Sequence, residues 1–212
     1  MNIGGPDPDP VEAASAFIDV RQSTDLISLH GVRVIRDHLQ IMFSKVIQAV
    51  EDNGGEVCDI HGDGALAVFY GVGRVDRALA AAATVQRMVQ EHFGPSRAAT
   101  SSSRIMLRVR IGIDDSSICS GSVSDRNGRS LNFWVGGNIA DKVSKAMEQS
   151  REVGITQDAF NLLGADARTR YSWSNPVDVL IGGRVLPIRT CLTTALPSST
   201  PTADSERKAH YG

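Results

Sequence analysis

The apolar residues of the chain recur with strand-like and helix-like spacing from residue 16 onward. Residues 16–21 (AFIDVR) form a short apolar run that is typical of a buried strand. Apolar residues then follow a helical period up to the Asn-Gly-Gly of residues 53–55, and Ser23 or Thr24 can cap this helix. The first third of the chain therefore predicts a strand followed by a long amphipathic helix.

The later patterns continue this alternation. Residues 56–71 predict a β-hairpin that turns at the Gly-Asp-Gly of residues 62–64. The remaining patterns predict, in chain order, a helix (74–93), a strand (105–114), a second strand paired with it (116–123), a helix (137 to about 149), a short strand and helix (153–156, 157–164) and a closing hairpin (177–192). The order strand–helix–strand–strand–helix–strand is the split βαβ arrangement. We therefore predict an α+β, ferredoxin-like fold, with helices covering one face of an antiparallel sheet.

Both ends of the chain differ from this pattern. Residues 1–14 are rich in Pro, Asp and Gly, and we expect a flexible N-terminal arm there. The segment 193–212 has the same character and predicts a disordered tail. One folded domain is expected between them, over residues 15–192.

Composition and charge exclude several classes of protein. The 212 residues include 22 Lys and Arg against 24 Asp and Glu, without the basic excess of a duplex nucleic-acid binder. No apolar run is long enough for a membrane span, and the acidic N-terminus does not resemble a signal peptide, so we expect a cytoplasmic protein. The three cysteines lie far apart, which favours neither a disulfide framework nor a structural zinc site.

Two carboxylates are the first candidates for chemistry. Asp19 interrupts the apolar run of the first strand, and burying an unpaired charge there is costly. Asp63 lies at the hairpin turn, and pairing of the first strand beside this hairpin brings the two carboxylates to one end of the sheet. Paired carboxylates suit Mg²⁺ or Mn²⁺. The alternatives are an ordinary Gly-Asp-Gly turn for Asp63, and a structural ion pair or helix cap for Asp19.

The residues after Asp19 are candidates for phosphate binding. Arg21, Gln22, Ser23 and Thr24 lead directly into a helix, where backbone N–H groups can surround phosphate oxygens. Arg110 on a neighbouring strand can neutralise a triphosphate, or it is simply a solvated strand residue.

A second metal site is conceivable on the hairpin, where Asp59, His61 and Asp63 alternate. We consider zinc or iron there the weaker hypothesis, because the turn is expected to redirect Asp63 and no further ligand lies nearby in the sequence. His61 is expected to be a packed strand residue.

Five motifs in order resemble those of the class III nucleotide cyclases. They are FIDVRQST (17–24), GGEVCDIHGDGALAVF (54–69), LRVRIGID (107–114), WVGGNIADKVSKA (134–146) and VGITQDAFNLL (153–163). The resemblance implies that Asp19, Val20 and Asp63 hold two Mg²⁺ or Mn²⁺ ions that bind a nucleoside triphosphate. The ribose 3′-oxygen would then attack the α-phosphate and release pyrophosphate. The resemblance also implies a head-to-tail homodimer, in which a transition-state Asn and Arg come from the other subunit.

The sequence departs from the family at this Asn and Arg. The family pattern Gly-x-x-x-Asn-x-x-x-Arg, counted from Gly137, places Asp141 and Lys145 at these positions. A shorter connection instead selects Asn138 and Lys142, which we favour because an amide and a cation then lie four residues apart on one helical face. Lysine replaces arginine in either register, so a point charge replaces a bidentate group.

The base-recognition positions depart further. Asp59 occupies the position where adenylate cyclases of the family carry Lys and guanylate cyclases Glu, and the second position falls near Phe133 or Trp134. A shorter acid and a bulkier aromatic residue predict a small pocket that favours a pyrimidine. UTP is favoured over CTP, because an ionised carboxylate accepts a hydrogen bond from uracil N3–H.

The small chain and its IDVR and WVG strings also resemble the pyrimidine cyclases of bacterial Pycsar anti-phage systems. In these systems cyclic UMP or cyclic CMP activates a separate effector. The alternatives are an adenylate or guanylate cyclase with unusual base contacts, and a catalytically silent cyclase-homology module that binds nucleotide or dimerises.

Overall fold

The elements of the fold alternate much as the sequence predicts. A computed structural model describes residues 9–94, 105–147 and 152–193. In chain order the elements are β1 (Val11–Val20), α1 (Ser23–His30), α2 (Val32–Asp52), β2 (Glu56–His61), β3 (Gly64–Tyr70), α3 (Arg74–Phe93), β4 (Val109–Ser124), β5 (Ser130–Val135), α4 (Asn138–Ala146), β6 (Val153–Thr156), α5 (Gln157–Leu162), α6 (Ala165–Arg170), β7 (Val177–Ile181) and β8 (Arg184–Cys191). No helix in these ranges is both long enough and apolar enough to cross a membrane.

The sheet has the strand order that the split βαβ arrangement requires. Its strands run β2-β3-β1-β4-β6-β8-β7, and β5 pairs with β4 off this path. The four strands β2, β3, β1 and β4 are antiparallel neighbours, which confirms the ferredoxin-like core. The pair β4–β6 is parallel, so the sheet is mixed rather than antiparallel throughout. The chain passes through α4 between β5 and β6, and such a crossover is what a parallel connection needs.

Both faces of the sheet carry helices, which corrects the expectation of a single covered face. Ile18 of β1 and Ile111 of β4 are cross-strand partners in the main core, together with buried residues of α2 and α3 such as Val46 and Leu79. The alternate residues of the same strands face α4, since a Cβ atom built on Gly112 would lie 2.0 Å from the carbonyl oxygen of Ala140. Only glycine allows the backbone of α4 to approach β4 so closely.

The long first helix is divided in two. Gly31, with φ +83° and ψ 151°, separates α1 from α2, because this conformation lies outside the helical region. The predicted cap at Ser23 or Thr24 is wrong as well. Gln22 is the N-cap residue of α1 in a left-handed conformation (φ 55°), and its side chain makes no capping hydrogen bond.

The two strands predicted over 105–114 and 116–123 are one continuous strand, β4, which begins at Val109. Asp115 and the serines that follow it are residues that also occur in turns, but here they pair with β1 and continue the strand. The partner of the second half is β5, and the connecting turn lies at Asn127-Gly128, where Gly128 has φ +77°. The carboxylate of Asp125 stabilises this turn by accepting hydrogen bonds from the backbone N–H groups of Asn127 and Arg129.

The domain limits also shift. The predicted arm 1–14 includes Val11–Ala14, which belong to β1 and pair with β4. Ala13 and Ala14 also pair with β3 and are fully buried. Residues 1–8 of the arm and 194–212 of the predicted tail lie outside the described residues. The predicted helix over 137–149 is α4, although 148–149 are also outside the description, and α6 is an additional helix that the sequence did not predict.

Candidate active site

A cavity of about 460 Å³ opens on the sheet face that carries α4. Strand β1, the β2–β3 hairpin, β5 and α4 all contribute to its wall. The lining residues include Phe17, Asp19, Asp59, His61, Asp63, Leu66, Phe133, Trp134, Asn138, Asp141 and Lys145. Five residues of the favoured interpretation are thus brought together, namely Asp19, Asp59, Asp63, Trp134 and Asn138, and the alternatives Phe133, Asp141 and Lys145 line the same cavity.

Asp19 reaches the cavity because of strand alternation. Its neighbours Ile18 and Val20 point into the main core, so Asp19 points to the opposite face. Arg110 lies directly across from it on β4, with Nε 2.6 Å and Nη2 2.5 Å from Asp19 Oδ2. The ion pair considered for Asp19 is therefore present, and the guanidinium of Arg110 is mostly buried rather than solvated.

The environment of Asp19 disfavours its charge. Burial raises the pKa of this carboxyl group, and the nearby charge of Asp63 raises it further. The hydrogen bond and charge of Arg110, with a smaller effect from Lys145, act in the opposite direction, but the net shift is upward. Asp19 and Asp63 are thus close enough to influence one another.

The hairpin turn holds Asp63 beside β1. The backbone N–H of Val20 donates a hydrogen bond to the carbonyl oxygen of Asp63 over 3.2 Å. The turn does not redirect Asp63 away from its neighbours, as the sequence had suggested, since Asp59, His61 and Asp63 all line the cavity. His61 is exposed there, and it is not a packed strand residue. A β-bulge between Val57 and Asp59 shifts the register of β2 just before these residues.

The oxygen atoms at this end of β1 fit a hard divalent cation. Mg²⁺ takes one or two protein carboxylates and completes its shell with water and substrate phosphate oxygens. Asp19 and Asp63 supply two carboxylates of this kind, and the backbone N–H of Val20, the residue after Asp19, contacts the carbonyl oxygen of Asp63. Among the described residues, no three His, Cys, Asp or Glu side chains are grouped so as to hold an ion by themselves. Asp19 and Asp63 are therefore the two carboxylates at this end of β1 that could contribute to holding such a cation.

Helix α4 presents a different pair to the cavity from the one that we favoured. Ala140, Val143 and Ser144 are buried, while Asp141 and Lys145 line the cavity together with Asn138. Lys145 Nζ lies 2.6 Å from Asp141 Oδ1 and 5.9 Å from the centroid of the Phe17 ring.

Lys142 is not among the residues that line the cavity, and its ammonium lies 3.7 Å from Asp141 Oδ2. The pair Asn138 and Lys142 is thus divided, whereas the alternative pair Asp141 and Lys145 faces the site together.

The segment after Asp19 lies next to the cavity rather than in its wall. The backbone N–H of Arg21 donates to the carbonyl oxygen of Arg108 over 2.8 Å, which extends the β1–β4 pairing by one residue. Burial and the charges of Arg110 and Arg108 lower the pKa of Arg21. Ser23 and Thr24 form the first turn of α1, directly after Gln22.

The two aromatic residues of β5 have different supports. Trp134 packs against a small cluster of Ala13, Val68 and Ile118, and the ring of Phe133 lies over Gly121 on the paired strand. A Cβ atom at Gly121 would lie 2.3 Å from the Phe133 ring, so a larger residue there would displace this ring. The packing of Trp134 against Ala13, Val68 and Ile118 fixes its position from the sheet side.

Sequence reasoning missed Phe17 and Asp114. Phe17 was recoverable, because it lies two residues before Asp19 and so shares its face. Asp114 is almost fully buried on the same face, where its Oδ1 accepts a hydrogen bond from the Thr156 hydroxyl over 2.8 Å. The Thr156 oxygen in turn caps α5. Burial raises the pKa of Asp114 despite this hydrogen bond.

Comparison with known proteins agrees with this geometry. Residues 10–191 match the family model of the adenylate and guanylate cyclase catalytic domain. The chain belongs to this cyclase family. The resemblance to class III nucleotide cyclases that the motifs indicated is thereby confirmed.

Individual relatives of this cyclase domain are distant. An uncharacterized protein of Mycobacterium tuberculosis is 25% identical over 194 residues, which are 91% of this chain and 34% of the relative. A uridylate cyclase of Burkholderia cepacia is 25% identical over 169 residues, 79% of this chain and 71% of the relative. The structure of a bacterial light-regulated adenylyl cyclase has a TM-score of 0.74 at 16% identity, covering 91% of this chain and 55% of that one. The cyclase domain thus spans about a third of the mycobacterial relative's length.

Replacement of Asp114 tests the cost of its burial. Because the pKa of Asp114 is raised in the folded state, its stabilising contribution is present at low pH and is lost as the pH rises through that pKa. Asp114→Asn keeps the acceptor for Thr156 but does not ionise. We expect its Tm relative to wild type to increase by about 2–4 °C between pH 4 and pH 8, measured by thermal melts. The exposed Asp178→Asn is the control and should show a constant difference, and a constant difference for Asp114→Asn would contradict the argument.

Proposed function

We propose that this chain is a metal-dependent nucleotide cyclase that converts UTP into 3′,5′-cyclic UMP and pyrophosphate. The observation that carries the proposal is the placement of Asp19, Asp63 and Asp59 in one cavity with Trp134. Two of these carboxylates suit metal ions, and the third is left for the base. Family membership supports the reaction type, and the Burkholderia cepacia relative, a uridylate cyclase, supports the choice of base.

In the proposed reaction the ribose 3′-oxygen attacks the α-phosphorus, the bond to the bridging oxygen breaks, and pyrophosphate leaves. Bound Mg²⁺ or Mn²⁺, two ions per site, would make the 3′-hydroxyl more acidic and offset charge on the phosphoryl oxygens. Asp19, Asp63 and the carbonyl group of Val20 would hold these ions. Arg110 and Arg21, with the backbone N–H groups of Gln22, Ser23 and Thr24 at the start of α1, would bind the triphosphate.

The base would lie between the hairpin and β5. Asp59 accepts a hydrogen bond from uracil N3–H, and Trp134, held by its packing on Ile118, limits the size of the base. Cytosine is the second candidate, because its amino group can donate to the same carboxylate. The aromatic side chains of Phe133 and Trp134 disfavour the larger purines of ATP and GTP.

A second copy of the chain would complete the site. The hairpin of β4 and β5 extends from the sheet with Val123, Phe133 and Val135 each about half exposed, and apolar surface of this kind favours association. In a head-to-tail homodimer, α4 of each subunit would serve the other subunit's metal site, through Asn138 and one of the lysines. Cyclic UMP would act in the cytoplasm as a second messenger of anti-phage defence and activate a separate effector.

A catalytically silent module that binds nucleotide remains the second candidate function. The observation in its favour is that lysine stands where the family has arginine, in either register of α4. The preserved pair Asp19 and Asp63 favours the active enzyme.

A product assay tests the proposal directly. The full chain is incubated separately with UTP, CTP, ATP and GTP in the presence of Mn²⁺ or Mg²⁺, and products are identified by mass spectrometry. We expect cyclic UMP from UTP, and loss of more than about 100-fold in rate for Asp63→Asn, because metal binding then loses a charged ligand. Cyclic CMP, AMP or GMP as the main product would contradict the base assignment. The absence of every cyclic product would favour the silent module.

Asp59 should determine the base preference. Asp59→Ala removes the acceptor for uracil N3–H, and we expect kcat/KM for UTP to fall about 10- to 100-fold, the range of one hydrogen bond to a charged group. His61→Ala is the matched control on the same strand and should leave the ratio of UTP to CTP turnover unchanged. An unchanged kcat/KM for UTP in Asp59→Ala would remove Asp59 from base recognition.

Lys145, the lysine of α4 that faces the cavity, should contribute to catalysis. We expect Lys145→Ala to lower kcat about 100-fold or more, since a cation is lost beside the phosphates, and Lys145→Arg to restore much of it. Lys142→Ala should stay within about threefold of wild type.

A mixture of two inactive subunits tests the shared site. Lys145 lines the cavity of its own subunit, so the mixture distinguishes a site within one subunit from a shared one. Asp63→Asn and Lys145→Ala subunits regain activity on mixing if Lys145 serves the partner subunit's metal site, because the heterodimer then contains one intact site. A mixture without activity would contradict the shared site. In the single variants, a larger loss of kcat for Lys142→Ala than for Lys145→Ala would restore the register with Asn138 and Lys142.

A further inference from the structure

The contact between Asp19 and Arg110 has an unusual geometry for a metal ligand and a phosphate-binding residue. Nε and Nη2 of Arg110 both approach the same carboxylate oxygen, Oδ2 of Asp19, at 2.6 and 2.5 Å. The two residues are cross-strand partners at the centre of the sheet, so the backbone fixes their proximity. In this state Asp19, which we assign to the metal, and Arg110, which we assign to the triphosphate, neutralise each other.

Burial makes this neutralisation necessary. The Asp19 side chain is only 7% exposed and that of Arg110 only 23% exposed, so water contributes little to solvating either charge. A carboxylate that loses its partner in such a site is strongly destabilised. An ionised Asp19 therefore needs a counter-ion, either the guanidinium or another cation.

A divalent cation on Asp19 changes this balance. It would satisfy the carboxylate and would also repel the guanidinium, because two positive charges would lie a few ångströms apart in a poorly solvated cavity. The guanidinium of Arg110 would then need a new anion. The phosphates that accompany the cation provide one, and the planar guanidinium suits bidentate binding of phosphate oxygens.

We propose that Arg110 is an exchangeable counter-ion of Asp19, released by divalent cations and captured by the nucleotide phosphates, so that metal and triphosphate bind cooperatively. Without nucleotide, Arg110 competes with the metal for Asp19. With nucleotide, the same residue stabilises the loaded site. The proposal rests on the metal site of the proposed function but does not depend on which base is bound.

The test measures Mn²⁺ binding rather than turnover. Free Mn²⁺ is quantified by electron paramagnetic resonance during titration of the full chain at pH 8, with and without a UTP analogue whose α,β-bridge is methylene. We expect the analogue to tighten Mn²⁺ binding by wild type. Arg110→Gln should bind Mn²⁺ about tenfold more tightly than wild type without nucleotide, since the competing ion pair is gone. The analogue should increase the Mn²⁺ affinity of Arg110→Gln much less than that of wild type.

Arg108→Gln is the matched control. Arg108 lies two residues before Arg110 and is exposed, and its replacement removes the same charge from the same segment. We expect its Mn²⁺ affinity to stay within about twofold of wild type, because an exposed charge is largely screened by solvent and salt. The analogue should increase the Mn²⁺ affinity of Arg108→Gln as much as that of wild type. This comparison separates the contact with Asp19 from a general change in charge.

Two further measurements keep the outcome unambiguous. Thermal melts verify that the variants are folded, and Arg110→Lys, which keeps the charge but only one point of contact, should bind Mn²⁺ more tightly than Arg108→Gln and less tightly than Arg110→Gln. Equal Mn²⁺ affinities for the Arg110 and Arg108 variants would overturn the counter-ion exchange while leaving the proposed function intact. A wild-type protein that binds no Mn²⁺, with or without the analogue, would overturn both.

Discussion

A carboxylate placed in an otherwise buried strand is the constraint on which the site depends. Asp19 lies between Ile18 and Val20, both core residues, so its own side chain must point to the opposite face of the sheet. Its charge cannot remain there unpaired. The β1–β4 register supplies Arg110 directly opposite, and the β2–β3 hairpin brings Asp63 to the same end of β1. The functional groups are therefore arranged by the central strands rather than by long loops.

Much of the fold could be predicted because local patterns and topology agree. The apolar periods locate α2, α3 and the hairpin strands, and their order is enough to define the ferredoxin-like core. The failures occur where the local signal is weak. A Ser-rich segment of β4 resembles a connection although it continues the strand, and the real turn at Asn127-Gly128 carries a clear signal that was overlooked.

The candidate site shows the same division between local and tertiary information. The convergence of Asp19 and Asp63 was predictable, since Asp19 interrupts an apolar strand and Asp63 lies at a recognisable hairpin turn. The choice between Lys142 and Lys145 was not, because both pairs on α4 have the same spacing of four residues and equal helical geometry. Tertiary packing determines which of the two lysines lines the cavity. Gly112 lets α4 press its Ala140 and Ser144 side onto β4, and this rotation brings Asp141 and Lys145 to the cavity.

The charge balance of the cavity indicates what it can bind. Among the described residues, its wall includes the carboxylates of Asp19, Asp59, Asp63 and Asp141 but one ammonium group, that of Lys145, and Arg110 is already paired with Asp19. A nucleoside triphosphate alone would be repelled by this excess of negative charge. Divalent cations reverse the balance and supply the bridge between carboxylates and phosphates. Such a wall favours a nucleotide that arrives as its complex with a divalent cation over the free triphosphate. The acidic cavity thus argues for a metal-bound nucleotide more strongly than any single residue in it.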